Sequence, residues 1–86
     1  MKVLKKLGIM QKLHKLDTRG FLCPLPIIKL NKLVGSLKSD CVIELVSDDP
    51  VSDLDIPAWC FDNNQDLISV EKERKCFIFR INIRIL

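Results

Sequence analysis

A Cys-Pro pair at positions 23 and 24 marks the point where a helical repeat of apolar residues begins. Proline holds φ near the helical value and has no N–H, so it is favoured at the first residue of a helix. We therefore predict that Pro24 begins a helix over residues 24–37 and that Cys23 is its N-cap. Pro26 lies within the first turn, where a missing N–H costs no hydrogen bond. The residues expected to face the core are Ile27, Leu30, Leu33, Val34 and Leu37.

Four other segments have patterns typical of strands. Residues 41–46 are apolar and β-branched, which predicts a central strand, and residues 67–71 alternate between two faces. Residues 77–85 alternate with a period of two, which predicts a half-buried strand after a charged turn at residues 71–75. A weaker apolar pattern predicts a first strand over residues 12–18.

Residues 51–63 predict a second helix, with Pro57 either kinking it or marking its first turn. The resulting order is β-α-β-α-β-β, and the expected fold class is α+β. We expect a two-layer α/β sandwich, in which a mixed four-stranded sheet carries both helices on one face. The candidates for the buried face of the second helix are Leu54, Ala58 and Phe61, or alternatively Ile56 and Trp59.

The charge of the 86-residue chain is unevenly distributed. Residues 1–15 hold five of the 14 basic groups and no acid, which leaves nine basic groups with all 11 acidic groups in the rest. This slightly acidic body argues against direct nucleic-acid binding. No apolar run approaches the length of a membrane span. We expect a Lys-rich extension at residues 1–12, either a frayed terminus or a docking helix, and a single domain at residues 13–86.

The four cysteines, at positions 23, 41, 60 and 76, include no C-x-x-C pair, and His14 is the only histidine. This spacing argues against a metal site, and we expect no cofactor. We find no secretory signal pattern and expect a reducing, cytoplasmic compartment. Cys23 is the candidate reactive thiol, and we expect Cys41 and Cys76 to be buried.

A thiol at a helix N-terminus faces unpaired N–H groups and the positive end of the helix dipole, which favour the thiolate. Cys23, Arg19 and the Asp48-Asp49 pair are expected at the carboxyl edge of the parallel strands. There Arg19 would lower the pKa of the thiol, and the two carboxylates would raise it. The alternatives are that Cys23 merely packs and that Asp48-Asp49-Pro50 is an ordinary turn and helix cap.

Three motifs, in this order, resemble the TusA-like (SirA-like) sulfur-carrier family. They are Gly20-Phe21-Leu22-Cys23-Pro24-Leu25-Pro26, Asp48-Asp49-Pro50 and Asp55-Ile56-Pro57-Ala58-Trp59-Cys60. The resemblance covers about residues 13–84. Leu54 departs from it, because this position is commonly basic in the family.

The resemblance implies a sulfurtransferase that carries sulfane sulfur as a persulfide on Cys23. The donor would be a cysteine desulfurase or another persulfide protein, and the acceptor a further protein in tRNA thiolation or sulfur trafficking. It implies that Cys60 is structural, and a monomer is expected. The supporting motif residues would be Arg19, Gly20, Pro24, Pro26, Asp48 and Asp49. Two alternatives stay open: a regulatory or adaptor module without sulfur chemistry, and an RNA-binding module of similar fold.

Overall fold

The structure, a computed structural model, describes residues 12–85. Its elements are β1 (Lys12–Asp17), α1 (Leu25–Ser36), β2 (Cys41–Ser47), α2 (Ser52–Asp62), β3 (Asp66–Lys72) and β4 (Phe77–Ile83). The predicted order and the α+β class are confirmed. The predicted Lys-rich extension lies outside the described residues except for Lys12, which begins β1. The division between residues 1–12 and 13–86 stays a prediction.

The four strands form one mixed sheet in the order β1-β2-β4-β3. β1 runs parallel to β2, whereas β4 runs antiparallel to both β2 and β3. Because β1 and β2 are parallel, both end at the same edge of the sheet. We call this edge the carboxyl rim and define it as the loop at residues 18–24 and the turn at residues 48–51.

Alternation along the central strands places the core on one face of the sheet. In β2, Cys41, Ile43, Leu45 and Ser47 are buried, and the residues between them are half-buried. Ile43 pairs with Ile81 and Leu45 with Phe79 on β4, so these side chains share one face. The helices cover that face. The buried apolar residues of the core are Leu30, Cys41, Ile43, Leu45, Ile56, Trp59, Cys60, Phe79, Ile81 and Ile83.

The packing of α1 follows the predicted stripe. Leu30 is fully buried, and the other four predicted positions are partly buried against the core. In α2 the second set of candidates, Ile56 and Trp59, is buried. The first set is wrong, because Leu54 and Phe61 are 69% and 84% exposed. Pro57 lies inside α2 and does not mark its first turn.

A hydrogen bond connects the two helices. The Trp59 indole Nε1 donates to Asn31 Oδ1 at 2.7 Å. Trp59 is 6% exposed, so its N–H would otherwise lack a partner in the core. This contact holds the helices side by side. The first turns of both helices adjoin the carboxyl rim, because α1 begins directly after the loop at residues 18–24 and α2 directly after the turn at residues 48–51.

Candidate functional site

Cys23 lies exposed on the carboxyl rim, in the loop immediately before α1. The helix begins at Leu25, and Pro24 occupies its N-cap position with φ −100° and ψ 15°. The Pro24 carbonyl accepts a hydrogen bond from the Ile28 N–H at 3.1 Å. The prediction that Cys23 is the N-cap is therefore wrong by one residue. Pro26, the second helical residue, is buried.

The carboxylate of Asp49 determines where Cys23 lies. Its Oδ2 accepts a hydrogen bond from the Cys23 backbone N–H at 2.6 Å, and its Oδ1 accepts one from the Val51 N–H at 3.2 Å. Asp49 is only 3% exposed. Because hydrogen bonds to a charged acceptor are stronger than neutral ones, this carboxylate holds the backbone of Cys23 outside the helix. This carboxylate therefore links the backbone of Cys23 to that of Val51, the N-cap residue of α2.

Asp48 makes the corresponding contact with the start of the same loop. Its Oδ1 accepts a hydrogen bond from the Gly20 N–H at 2.9 Å. Gly20 has φ +89°, a left-handed conformation that residues with a side chain rarely adopt. The Asp48-Asp49 pair thus holds both Gly20 and Cys23 through backbone N–H groups. The predicted proximity of Cys23 to Asp48 and Asp49 agrees with this geometry, and Arg19, the fourth residue of that prediction, lies in the same loop.

Three buried hydroxyl residues, missed by the sequence analysis, support the rim. Thr18 donates from Oγ1 and from its N–H to the Val46 carbonyl, at 2.7 and 2.8 Å. Ser47 Oγ accepts from the Asp49 N–H at 3.1 Å, and Ser52 Oγ donates to the Asp49 carbonyl at 2.7 Å. A signal was available in the sequence, since hydroxyl residues flank the Asp48-Asp49 turn on both sides.

Arg19 does not act on Cys23 as predicted. Its guanidinium forms two hydrogen bonds with the carboxylate of Asp17, at 2.9 and 2.8 Å. These bonds lower the pKa of Asp17 to about 2. Arg19 is not among the groups that shift the pKa of the Cys23 thiol. The positive charge of Arg19 is instead neutralised by the carboxylate of Asp17.

The thiol of Cys23 is more weakly acidic than predicted. The Asp55 carboxylate is the largest influence that raises the pKa of the thiol, and partial desolvation and the negative charge of Asp49 add to the effect. The predicted lowering by the helix N-terminus is therefore wrong. The physical reason is that Cys23 lies before the first turn of α1 and is subject to carboxylates from the turn after β2 and from the first turn of α2. The sequence alone indicates no role for Asp55 beyond its place in the D-I-P-x-W-C motif.

The other cysteines differ from Cys23 in exposure. Cys41 and Cys60 are buried, and burial raises the pKa of the Cys60 thiol to about 11. Cys76 is half-buried, so its predicted burial is only partly met. Within residues 12–85, Cys23 is the only cysteine with an exposed side chain.

Apolar side chains of the loop before α1, of the turn after β2 and of the first turns of both helices are exposed. We call them the apolar collar, and their exposed fractions range from 39% to 69%. The collar consists of Phe21, Leu22, Leu25, Ile28, Val51 and Leu54. The Nζ of Lys29 lies 4.4 Å from the centroid of the Phe21 ring. Exposed apolar residues that adjoin one another are typical of protein contact surfaces. This arrangement fits docking of another protein over Cys23.

Two further observations concern the described part of the chain. Residues 12–85 contain no group of three or more His, Cys, Asp or Glu that is arranged to hold a metal ion. None of the helices within this range has the length and apolar character needed to cross a membrane.

The fold and the rim define a class of protein: a small α+β sandwich that presents one exposed thiol beside the first turn of a helix. Comparison with known families identifies the class further. The sequence model of the family described as sulfurtransferase TusA matches residues 14–83. This chain belongs to the TusA sulfurtransferase family, which confirms the resemblance found in the sequence.

A solved structure has the same fold. It is the crystal structure of a SirA-like protein from Desulfitobacterium hafniense, which superimposes with a TM-score of 0.72 at 19% sequence identity. The match covers 85% of this chain and 99% of the other. At this identity the similarity supports the fold alone, and the two-layer sandwich is confirmed.

Proposed function

We propose that this protein accepts sulfane sulfur as a persulfide on Cys23 and passes it to an acceptor protein. The donor is a cysteine desulfurase or another persulfide protein. The relay serves tRNA thiolation or sulfur trafficking in the cytoplasm, and the carrier acts as a monomer. The observation that carries this proposal is the position of Cys23, the exposed thiol of the C-P-x-P motif, on a rim built to hold it.

The transfer needs no outside oxidant or reductant. The sulfur of Cys23 attacks the outer sulfur of the donor persulfide, and a new S–S bond forms while the donor's S–S bond breaks. The electron pair leaves with the donor's own sulfur, which takes up the proton that Cys23 releases. In the transfer to the acceptor, the thiolate of the acceptor attacks the outer sulfur of the Cys23 persulfide, and the thiol of Cys23 is regenerated. Access to the reacting sulfur is the main structural requirement, and an exposed loop provides it.

The supporting residues have distinct roles in this proposal. Asp48 and Asp49 hold the loop through the N–H groups of Gly20 and Cys23, so the sulfur has a defined position. Pro24 is the N-cap residue of the helix that follows Cys23, and Pro26 lies in its first turn. Arg19 pairs with Asp17 and stiffens the approach to the loop. The apolar collar provides the contact surface for donor and acceptor.

Mass measurement tests the assignment. The purified protein is incubated with a cysteine desulfurase, its pyridoxal phosphate cofactor and free cysteine, and its intact mass is recorded with and without reductant. We expect a reducible gain of one sulfur atom in the wild type and in Cys76→Ser, and none in Cys23→Ser. Cys76→Ser is the matched control because it removes the other partly accessible thiol.

Two outcomes would contradict the proposal. Equal sulfur gain in Cys23→Ser would place the carrier site on another residue. No gain from the desulfurase or from a chemical persulfide donor such as sodium polysulfide would favour the adaptor alternative. That alternative further predicts that Cys23→Ser retains full function in cells.

A further inference from the structure

Helix α2 carries apolar side chains on two of its faces. One face is buried in the core and includes Ile56 and Trp59. The opposite face is exposed and carries Leu54, Ala58 and Phe61, which are spaced as neighbours on a helix surface. We call these three residues the α2 row. Because a helix needs only one apolar face to pack on a sheet, the core does not account for this row.

The α2 row is highly exposed and is continuous with the apolar collar. Phe61 is 84% exposed and Leu54 is 69% exposed, the two largest fractions among the exposed large apolar residues of the described chain. Leu54 also belongs to the collar, so the two surfaces join. At 1.5 Å per residue, the row extends about 10 Å along the helix from Leu54 to Phe61. Exposed apolar side chains that adjoin in this way mark a surface that binds another protein.

Hydrogen bonds place the start of the row beside Cys23. The Val51 N–H donates to Asp49 Oδ1 at 3.2 Å, and the other oxygen of that carboxylate accepts from the Cys23 N–H at 2.6 Å. The Val51 carbonyl in turn accepts from the Leu54 N–H at 3.0 Å. One carboxylate and one helical turn therefore connect Cys23 to the first residue of the row. A protein that covers the row also reaches the thiol.

The two helices carry charges of opposite sign. α1 contains Lys29 and Lys32 and no acidic residue, whereas α2 contains Asp53, Asp55 and Asp62 and no basic residue. Asp53 and Asp62 are exposed at the two ends of the row, and neither forms an ion pair within residues 12–85. These carboxylates attract a basic surface and repel an acidic one. The charge around the row therefore favours a partner that is basic where it meets α2.

We propose that the α2 row is the docking surface for the sulfur-donor protein, and that this donor presents apolar side chains bordered by Lys or Arg. The inference rests on the proposed function in taking the partner to be a sulfur donor. The apolar contact supplies the affinity, and the acidic border orients the donor so that its reactive sulfur faces Cys23. Sulfur then passes to Cys23 by thiol–persulfide exchange, and docking adds no chemical step.

The first test uses two amphipathic helical peptides that differ in charge, one of leucine and lysine and one of leucine and glutamate. Each is titrated into the isotope-labelled protein at low salt, and the backbone amide shifts are recorded by NMR. We expect the lysine peptide to shift the amides of Leu54, Ala58 and Phe61, and the glutamate peptide to leave them unchanged. The Kd of the lysine peptide should rise about tenfold in Phe61→Ser. Ile68→Ser, which changes an apolar residue of β3 that is 55% exposed, is the matched control and should bind as the wild type does.

The second test uses a cysteine desulfurase as the donor. Its rate of sulfur transfer is measured against the concentration of the wild type, Phe61→Ser and Ile68→Ser. We expect Phe61→Ser to raise the KM about tenfold with little change in kcat, because the row contributes binding and not chemistry. Loading by sodium polysulfide, which needs no docking surface, should be equal in all three proteins. In the double variant Asp53→Asn/Asp62→Asn, the KM should depend less on salt than in the wild type.

The proposal is overturned if the two peptides bind equally, if neither shifts the row, or if Phe61→Ser matches the wild type in either test. Leu54→Ser is a second variant in case Phe61→Ser fails to fold. Loading of the wild type by polysulfide but not by the desulfurase would overturn the assignment of the donor to this surface.

Two further outcomes separate this inference from other possibilities. A dimer in sedimentation velocity that Phe61→Ser abolishes and Ile68→Ser retains would make a second copy of the chain the occupant of the row, which also overturns the proposal. The peptide test does not require sulfur loading. A protein that binds the lysine peptide at the row but takes up no sulfur from either donor contradicts only the proposed carrier function.

Discussion

The Asp49 carboxylate accepts a 2.6 Å hydrogen bond from the backbone N–H of Cys23, a residue 26 positions earlier in the chain. Asp49 is almost fully buried, whereas Cys23 is exposed. The turn after β2 therefore holds the backbone of Cys23 and leaves its sulfur accessible. The same hydrogen bond therefore contributes to the stability of the rim and to the position of the Cys23 sulfur.

Asp49→Ala should destabilise the protein. The substitution leaves the N–H groups of Cys23 and Val51 without their carboxylate acceptor. Loss of buried hydrogen bonds to a charged group predicts a decrease of about 2 kcal/mol or more in the free energy of unfolding. Urea unfolding followed by the fluorescence of Trp59 measures it. Asp53→Ala, an exposed position two residues beyond the turn, is the control, and an equal loss in both variants would contradict the role of Asp49.

Alanine at the two glycines of the described chain should have opposite effects. Gly20 has φ +89° and open space around its Cα, so Gly20→Ala introduces backbone strain without a clash. The expected cost is about 1–2 kcal/mol. Gly35 lies in α1, also with no atom within 4 Å of an added Cβ. Gly35→Ala should stabilise by roughly 0.5–1 kcal/mol. Thermal unfolding of both variants checks the pair, and a shift of the same sign in each would refute the conformational explanation.

The cysteines should differ in their rates of alkylation in the native protein. Cys23 is exposed, Cys76 is half-buried, and Cys41 and Cys60 are buried. Because burial raises the pKa of the Cys60 thiol to about 11, its thiolate is scarce at neutral pH. We expect the order Cys23, then Cys76, then the two buried thiols, measured by timed N-ethylmaleimide labelling and peptide mapping. Labelling in urea is the control, and fast native labelling of Cys60 would contradict the burial argument.

The ion pair between Asp17 and Arg19 predicts a specific acid dependence of stability. Its pairing lowers the pKa of Asp17 from 3.8 to about 2 in the folded protein. A group with a lowered folded pKa stabilises the protein above its unfolded pKa, and this contribution is lost as the pH falls through the folded value. The difference in urea midpoint between wild type and Asp17→Asn should therefore be largest above about pH 4 and disappear near pH 2. A constant difference over that range would show that the pair does not act in this way.

The periodicity of the chain was sufficient to predict most of the fold. The stripe from Ile27 to Leu37 packs as expected, and the period-two segment forms β4 with alternate residues buried. Local pattern did not decide the buried face of α2, because both candidate sets have helical spacing. Contact with α1 through Asn31 selects the set that contains Trp59. The half-buried state of Cys76 could not be predicted from local pattern either, since Cys76 lies in the connection between β3 and β4, immediately before β4 begins at Phe77.

By itself the sequence determined the element order and the family and singled out Cys23 as the candidate reactive residue, because these depend on periodicity, motif spacing and residue type. The tertiary structure alone decided the electrostatic state of that residue. Arg19 is only four positions from Cys23 but is paired with Asp17. Asp55 is 32 positions away, yet its carboxylate raises the pKa of the Cys23 thiol. The strength of an electrostatic interaction depends on the distance between the groups in space and not along the chain. The packing of α2 against the loop before α1 therefore determines which charged group is near the thiol.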